Sequence, residues 1–207
     1  MKNRKCRAPL SGVICIFCVM KYLFILISVF FMISCRDYTP RPTGYNRIDF
    51  PESRLKKYNF KSFSFEYPDY VVIDTLTSPA KGELWFNIVY PRYDAVIHCT
   101  YLPISSKDLS KAVEDSHQLA YSHTLKSEGI NHIVYRNEGA GVSGLIYEIE
   151  GDVATPIQFF VTDSIKNFFR GSFYYSTKVN MDSVAPVTNH IKEDIRQMID
   201  SFVWKND

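Results

Sequence analysis

Several spacings in the 207-residue sequence pair side chains that could do chemistry, and each has a requirement its surroundings either meet or fail. Glu114 and His117 would share one helix face, which is half of a carboxylate-bridged metal pair. A metal needs at least three convergent ligands, yet the spacing has no second copy and His123 is six residues on, so a surface helix is the better reading. His98 abuts Cys99, but neighbours on a strand point to opposite faces and cannot hold one ion. His190 and Asp194 stand four apart and read as a solvated pair rather than an acid-base couple. Gly139-Ala140-Gly141-Val142-Ser143-Gly144 satisfies G-x-G-x-x-G, but a phosphate cradle needs a helix N-terminus next. The next residues are instead the strand-like "LIYEIE", which makes the stretch a hairpin loop. Ser53-x-x-Lys56 and Ser78-x-x-Lys81 lack the partner motifs of the penicillin enzymes. Asp163-Ser164 reads as turn chemistry. None of these amounts to a nucleophile with a base, and the expectation is a chain without catalytic, cofactor-binding or metal-ligating residues.

The strongest chemical signal is a junction near the N-terminus. Tyr22 to Ile33 is a run of 12 apolar or hydroxyl residues with Lys21 before it, the length and flank of a secretory signal. It ends in Met32-Ile33-Ser34-Cys35, which resembles the bacterial lipobox, a small residue followed by a cysteine whose thiol takes diacylglycerol. Signal peptidase II would then cut between Ser34 and Cys35, leaving Cys35 lipidated as the one covalent attachment expected. The competing reading is a transmembrane helix, because Val13 to Ser34 is 22 residues long and about 20 apolar residues span a bilayer. Lys21 near its centre argues against that, since an unpaired Lys there costs about 2.5–3.5 kcal/mol. Met20 is itself a reasonable start site and would give a compact signal. Cys15-x-x-Cys18 lies inside the apolar leader with no second ligand pair, so Cys99 is the lone thiol of the processed chain and belongs on a buried strand.

Composition agrees with export of one packed domain. With 46% apolar and 15% aromatic residues the chain can bury a full core. Five of the 24 Lys and Arg residues precede Cys35 with no acid among them, leaving 19 bases against 22 acids, a net −3. A mildly acidic domain with interspersed signs has no footprint for nucleic acid.

The elements that must position any site are set by periodicity. Residues 1–34 are read as a signal peptide and residues 35–58 as the lipidated cysteine and an extended tether, with three prolines and no apolar period. Tyr38, Arg41, Tyr45 and Arg47 in that tether form a candidate docking strip, since exposed aromatics and Arg favour interfaces. Residues 59–207 are read as a single α+β domain. "FKSFSFEYP", "LWFNIVYP", "AVIHCTYLP", "INHIVYRN", "GLIYEIE", "IQFFVTD" and "FFRGSFYYS" read as strands in antiparallel hairpins. Asp108 to Glu128 reads as an amphipathic helix closed by Gly129. A second helix starts near Asp182 and repeats Val187, Ile191, Ile195, Met198, Ile199 and Phe202 on one face. The expected architecture is a mainly antiparallel sheet with two amphipathic helices, and the element order resembles the Mog1 and PsbP sandwich.

Six ordered segments carry a more specific resemblance: "DYTPRPTGYNRIDFPE", "FEYPDYVVI", "WFNIVYPRYDAVIHCTY", "EDSHQLAYSH", "QFFVTDSIKNFFRGSFYY" and "DSVAPVTNHIKEDIRQMIDSFVW". Together they look like the gliding-motility-associated lipoprotein D family (GldD) of Bacteroidetes. The resemblance implies an envelope lipoprotein that supports surface gliding and type IX protein secretion, anchored by lipid on Cys35, palmitate-type acylation included, in the outer membrane facing the periplasm. It implies other gliding and secretion envelope proteins as partners, and it carries over no catalytic residue. Two other readings stay open at this point: an envelope enzyme acting on peptidoglycan or glycan, and a carrier of a small or lipidic ligand. Convergent polar groups in a cleft would mark the enzyme and a large apolar cavity the carrier.

Overall fold

The structure, a computed structural model, describes residues 20–23, 25, 48–77, 82–105, 107–122 and 127–205. The chain divides into Met1–Gly44 and Tyr45–Asp207. In the first unit, residues 20–23 and 25 are helical and exposed. Among the described residues no helix is long and apolar enough to cross a membrane. Ser34, Cys35, Tyr38, Arg41, Tyr45 and Arg47 lie outside the described residues, as do Ser78, Lys81 and His123.

The second unit is built on two antiparallel sheets. In chain order its elements are β1 (Leu55–Asn59), β2 (Phe63–Pro68), β3 (Val72–Leu76), β4 (Leu84–Tyr90), β5 (Ala95–Pro103), α1 (Leu109–Tyr121), β6 (Ser127–Asn137), β7 (Val142–Gly151), β8 (Ile157–Thr162), β9 (Asn167–Tyr175), α2 (Met181–Asp200) and β10 (Val203–Trp204). A seven-stranded sheet runs β3-β4-β5-β9-β8-β7-β6, and a three-stranded sheet runs β1-β2-β10. The α+β expectation, a mainly antiparallel sheet with two amphipathic helices, describes this architecture.

Strand alternation sorts the large sheet into two faces. Phe86 and Ile88 of β4, Ile97 and Cys99 of β5, Phe159 of β8 and Phe169 and Phe173 of β9 point inward and are buried. They meet Val187, Ile191, Ile195 and Met198 of α2 and Phe63 and Phe65 of the small sheet in one cluster. Phe63 lies 5.3 Å from Phe202 and 5.4 Å from Phe169, ring to ring, the spacing of attractive aromatic packing. Gly171 makes room for this layer: a Cβ there would sit 2.2 Å from Cζ of Phe159, so only glycine lets that ring cross β9.

On the outer face, α1 covers the β7–β8–β9 region, where Ala120 packs with Tyr147, Phe160 and Phe168. The expected helix from Asp108 to Glu128 is shorter in the structure, ending at Tyr121 with Ser122 as its cap. Gly129 belongs to β6, beside a register shift between Ser127 and Gly129. Pairing propagates back from the tight turn at residues 138–141, and those ladder bonds outweigh the helical pattern of the sequence. Asn180 caps α2, its side-chain oxygen accepting from the Ser183 amide at 3.1 Å.

The boundary expected after residue 58 is corrected. Leu55–Asn59 form β1, paired with β2 from Leu55↔Pro68 to Asn59↔Ser64. Ile48 and Tyr58 pack on the core, and Phe50 stacks on His190 with ring centroids 4.2 Å apart. These residues lack an apolar period because an exposed edge strand buries only isolated side chains, here Tyr58 against Phe65 and Phe86.

Candidate functional site

Half of the outer face carries side chains with no helix over them. Strand register places Val72, Val89, Val96 and Tyr174 in one row across β3, β4, β5 and β9. The next row is Asp74, Asn87, His98 and Ser172, and the third is Leu76, Trp85, Thr100 and Arg170. Val72, Leu76 and Trp85 are 53%, 41% and 38% exposed, apolar side chains in water where the inner face keeps none. Leu119 of α1, 43% exposed, borders the same surface. Contiguous exposed apolar groups rimmed by polar ones are the usual mark of a contact surface. β3 is also an edge strand, so its outward amides and carbonyls lie beside these groups.

Two polar clusters lie elsewhere, one beneath α2 and one at the exposed edge of α1. Under α2, the Tyr70 hydroxyl donates to Oδ2 of Asp194 at 2.5 Å and its oxygen accepts from Nε2 of His190 at 2.9 Å. Asp194 is 8% exposed, so the expectation of a solvated His190–Asp194 pair is corrected: loop residue Tyr70 bridges the two, and Phe50 lies flat on the imidazole. Sequence spacing could not reveal a bridging group 120 residues away. Burial pushes the Asp194 carboxyl above the usual carboxylate range, although Tyr70, His190 and Tyr90 oppose the shift. Burial, reinforced by Asp194, likewise pushes the Tyr70 hydroxyl well above a phenol's ordinary range. The groups converge, but on one another.

Against α1, His117 sits with its ring 4.4 Å from Tyr121 and 5.9 Å from Tyr147, and Nδ1 is 3.4 Å from the Tyr147 hydroxyl. His132 of β6 pairs through Nε2 with the Tyr121 hydroxyl at 2.9 Å. His117 thus packs against Tyr147 of the sheet while staying partly exposed beside the exposed Tyr121–His132 pair. Glu114 instead accepts from Nε2 of Gln118 at 3.2 Å along the helix. Among the described residues no three His, Cys, Asp or Glu side chains are placed to hold a metal ion.

The remaining motifs resolve into turns and packing. Oδ1 of Asp163 accepts from the amides of Ile165, Lys166 and Asn167 at 2.9 Å each, and Oδ2 accepts from Nδ2 of Asn167 at 2.7 Å. Burial would raise its pKa, but these donors win and hold the carboxyl below the usual range. Ser164 occupies a left-handed position, φ 63°, in the same turn. The G-x-G-x-x-G stretch spans the β6–β7 hairpin: Gly141 has φ 62°, and a Cβ on Gly144 would lie 2.0 Å from the Phe160 carbonyl oxygen. His98 is exposed and Cys99 buried on alternate faces of β5. An open hollow of about 740 Å³ beside the start of α2 mixes charged Glu150, Asp152 and Lys178 with apolar Ile149, Pro156 and Met181.

The class defined by these features is a small α+β domain with a two-layer aromatic core and an open, partly apolar sheet face. The chain belongs to a lipoprotein family: residues 35–204 match the family described as gliding motility lipoprotein GldD. The match begins at Cys35. As members of a lipoprotein family, such chains are membrane-anchored proteins of the cell envelope, and the family is named for motility rather than for a reaction. Among solved structures the chain is similar to cyanobacterial PsbP (CyanoP) from Synechocystis sp. PCC 6803, at 15% identity and a TM-score of 0.46, over 80% of this chain and 100% of that one. No curated protein matches the sequence.

Proposed function

We propose that this chain is a lipid-anchored, non-enzymatic envelope protein that supports the gliding apparatus and its associated type IX secretion through protein contacts. The family match over residues 35–204 carries the reading. The open rows of β3, β4 and β5 support it, because they supply exposed Val72, Leu76 and Trp85 for a partner. In this reading Ser34-Cys35 is the signal peptidase II junction, Cys35 bears the lipid, and the protein sits in the outer membrane facing the periplasm. One acyl chain holds a protein only marginally, so two or three on Cys35 make the anchor durable. Tyr38, Arg41, Tyr45 and Arg47 would present a second contact strip near the membrane. No cofactor beyond the covalent lipid takes part.

The test is chromosomal deletion with complementation, scored for colony spreading and for secreted protein, followed by affinity isolation of the tagged lipoprotein from its own envelope. Loss of both activities, with specific envelope partners recovered, is expected. Normal gliding and secretion in the deletion strain would overturn the proposal. Intact mass of the extracted protein checks the anchor: an N-terminus at Cys35 with acyl mass is expected, and Cys35→Ala should leave an unlipidated precursor.

A further inference from the structure

Arg170 is the one charged side chain of β9, set between Phe168, Phe169 and Phe173. Strand parity sends it to the outer face, where the edge of α1 meets the open rows. Its Nη2 group donates to Oε1 of Gln158 at 2.9 Å and to Oγ of Ser172 at 3.2 Å, both neutral acceptors. No described carboxylate pairs with it. The cations of the inner face are treated differently: Lys192 and Arg196 of α2 both bond to Glu148. Burial lowers the pKa of Arg170, with only the Tyr174 and Tyr147 hydroxyls opposing. A guanidinium drawn out of water without a counter-ion is costly, and its five N–H donors exceed two neutral acceptors.

The surroundings suit an anion. A cleft of about 310 Å³ opens over Arg170, lined also by Thr100, Ser172, His98, Leu119 and Tyr174. The Thr100 and Ser172 hydroxyls can donate, and Leu119 and Tyr174 wall the cleft. Gln158 is 2% exposed and gives its oxygen to Arg170, while its Nε2 has no hydrogen-bond partner among the described residues. A fully buried amide is thus spent on aiming the guanidinium. The arginine fork matches a carboxylate bidentately.

We propose that this cleft receives a carboxylate displayed by a partner polypeptide, with Arg170 gripping it and Trp85 seating an apolar residue nearby. Trp85 lies in the same row as Arg170, two strands away. At roughly 4.8 Å per strand that is about 10 Å, close to one polyproline II turn of three residues at about 3.1 Å each, which brings side chains i and i+3 back to the same face. The partner segment therefore carries an acid and an apolar residue three positions apart. This deepens the protein-contact reading and rests on it for the identity of the ligand as a polypeptide.

The test uses the full-length lipoprotein in detergent, labelled with ¹⁵N-arginine, and follows the Arg170 Nε–H signal, assigned by its loss in Arg170→Lys. Three probes are titrated: acetyl-Glu-Ser-Ser-Leu-amide, its Gln counterpart, and sodium acetate. A saturable shift with the Glu peptide is expected, with binding at least about tenfold weaker for the Gln peptide, as the loss of a charge-assisted pair requires. Tryptophan fluorescence, quenched on binding, should show a comparable weakening in Arg170→Lys, which keeps the charge and loses the fork. Equal binding of the Glu and Gln peptides, measured on unaltered protein, would overturn the carboxylate. Acetate binding as tightly as the Glu peptide would overturn the polypeptide assignment in favour of a free anion. A deletion strain that glides normally would sink the function proposed above without touching this titration, so the two failures are distinguishable.

Discussion

The two faces of the seven-stranded sheet are made from the same strands yet treat side chains differently. On the inner face, Phe86, Ile97, Phe159, Phe169 and Phe173 are at most 1% exposed, locked between α2 and the small sheet. On the outer face, α1 covers β7, β8 and part of β9, while Val72, Leu76, Trp85 and His98 remain exposed on β3, β4 and β5. An antiparallel sheet needs only one buried face to be stable. The inner face therefore carries the fold, and the open half of the outer face is free to carry contacts.

Four substitutions break or sharpen that comparison. Ile195→Asp has the largest expected effect: Ile195 is 1% exposed within the inner cluster, and an unpaired charge there costs on the order of 4 kcal/mol or more. Denaturant melts or steady-state abundance should reveal an unfolded or degraded protein. A stable, fully folded variant would mean that α2 is not essential to the core.

Gly171→Ala comes next, because the new Cβ would meet the Phe159 ring at 2.2 Å. Overpacking of this kind costs about 1–3 kcal/mol. Thermal melting should fall by several degrees with the fold retained, and an unchanged midpoint would show that Phe159 can turn aside freely.

Asp194→Asn probes the polar exception on the inner side. Tyr70, Tyr90, His190 and Glu193 face this carboxyl. Its folded pKa is raised, so the protonated form is favoured in the native state; its stability contribution is present below the unfolded pKa and lost as pH rises through the folded value. Asn keeps an acceptor for Tyr70 and removes the titration. The variant should lose this decline in stability between acidic and neutral pH, measured as melting temperature against pH. A wild-type profile that rises across that window would contradict the sign.

Trp85→Ser should have the smallest effect on stability, within about 0.5 kcal/mol, because the residue is already 38% exposed. Its effect belongs in partner recovery and colony spreading. Loss of those activities with an unchanged melt would establish the division of labour between the faces. A large drop in melting temperature would erase it.

Legibility followed the range of the interactions. The strands "LWFNIVYP" and "AVIHCTYLP" could be read because alternation and β-branching are local, and the α2 stripe from Val187 to Ile199 because its period is 3.6. β1, β3 and β10 left no local signal, since each is short and edge-like and owes its conformation to a partner strand. Arg170 left a faint mark, a lone charge in "FFRGSFYYS" where every flanking side chain is aromatic or small. Tyr70 left none, as its link to His190 and Asp194 crosses 120 and 124 residues.

By itself the sequence determined the export junction at Ser34-Cys35 as an expectation, the α+β class, the inward stripe of α2 and the family. All of these are written in contiguous residues, where composition and period act without a partner. Tertiary structure alone decided that residues 48–59 belong to the folded body, that residues 127 and 128 become strand rather than helix, and that Asp194 lies buried beneath Tyr70. It also decided which half of the outer sheet face stays open around Arg170. Those outcomes depend on cross-strand register and on where each helix lands, and both are set by contacts between residues that are distant along the chain.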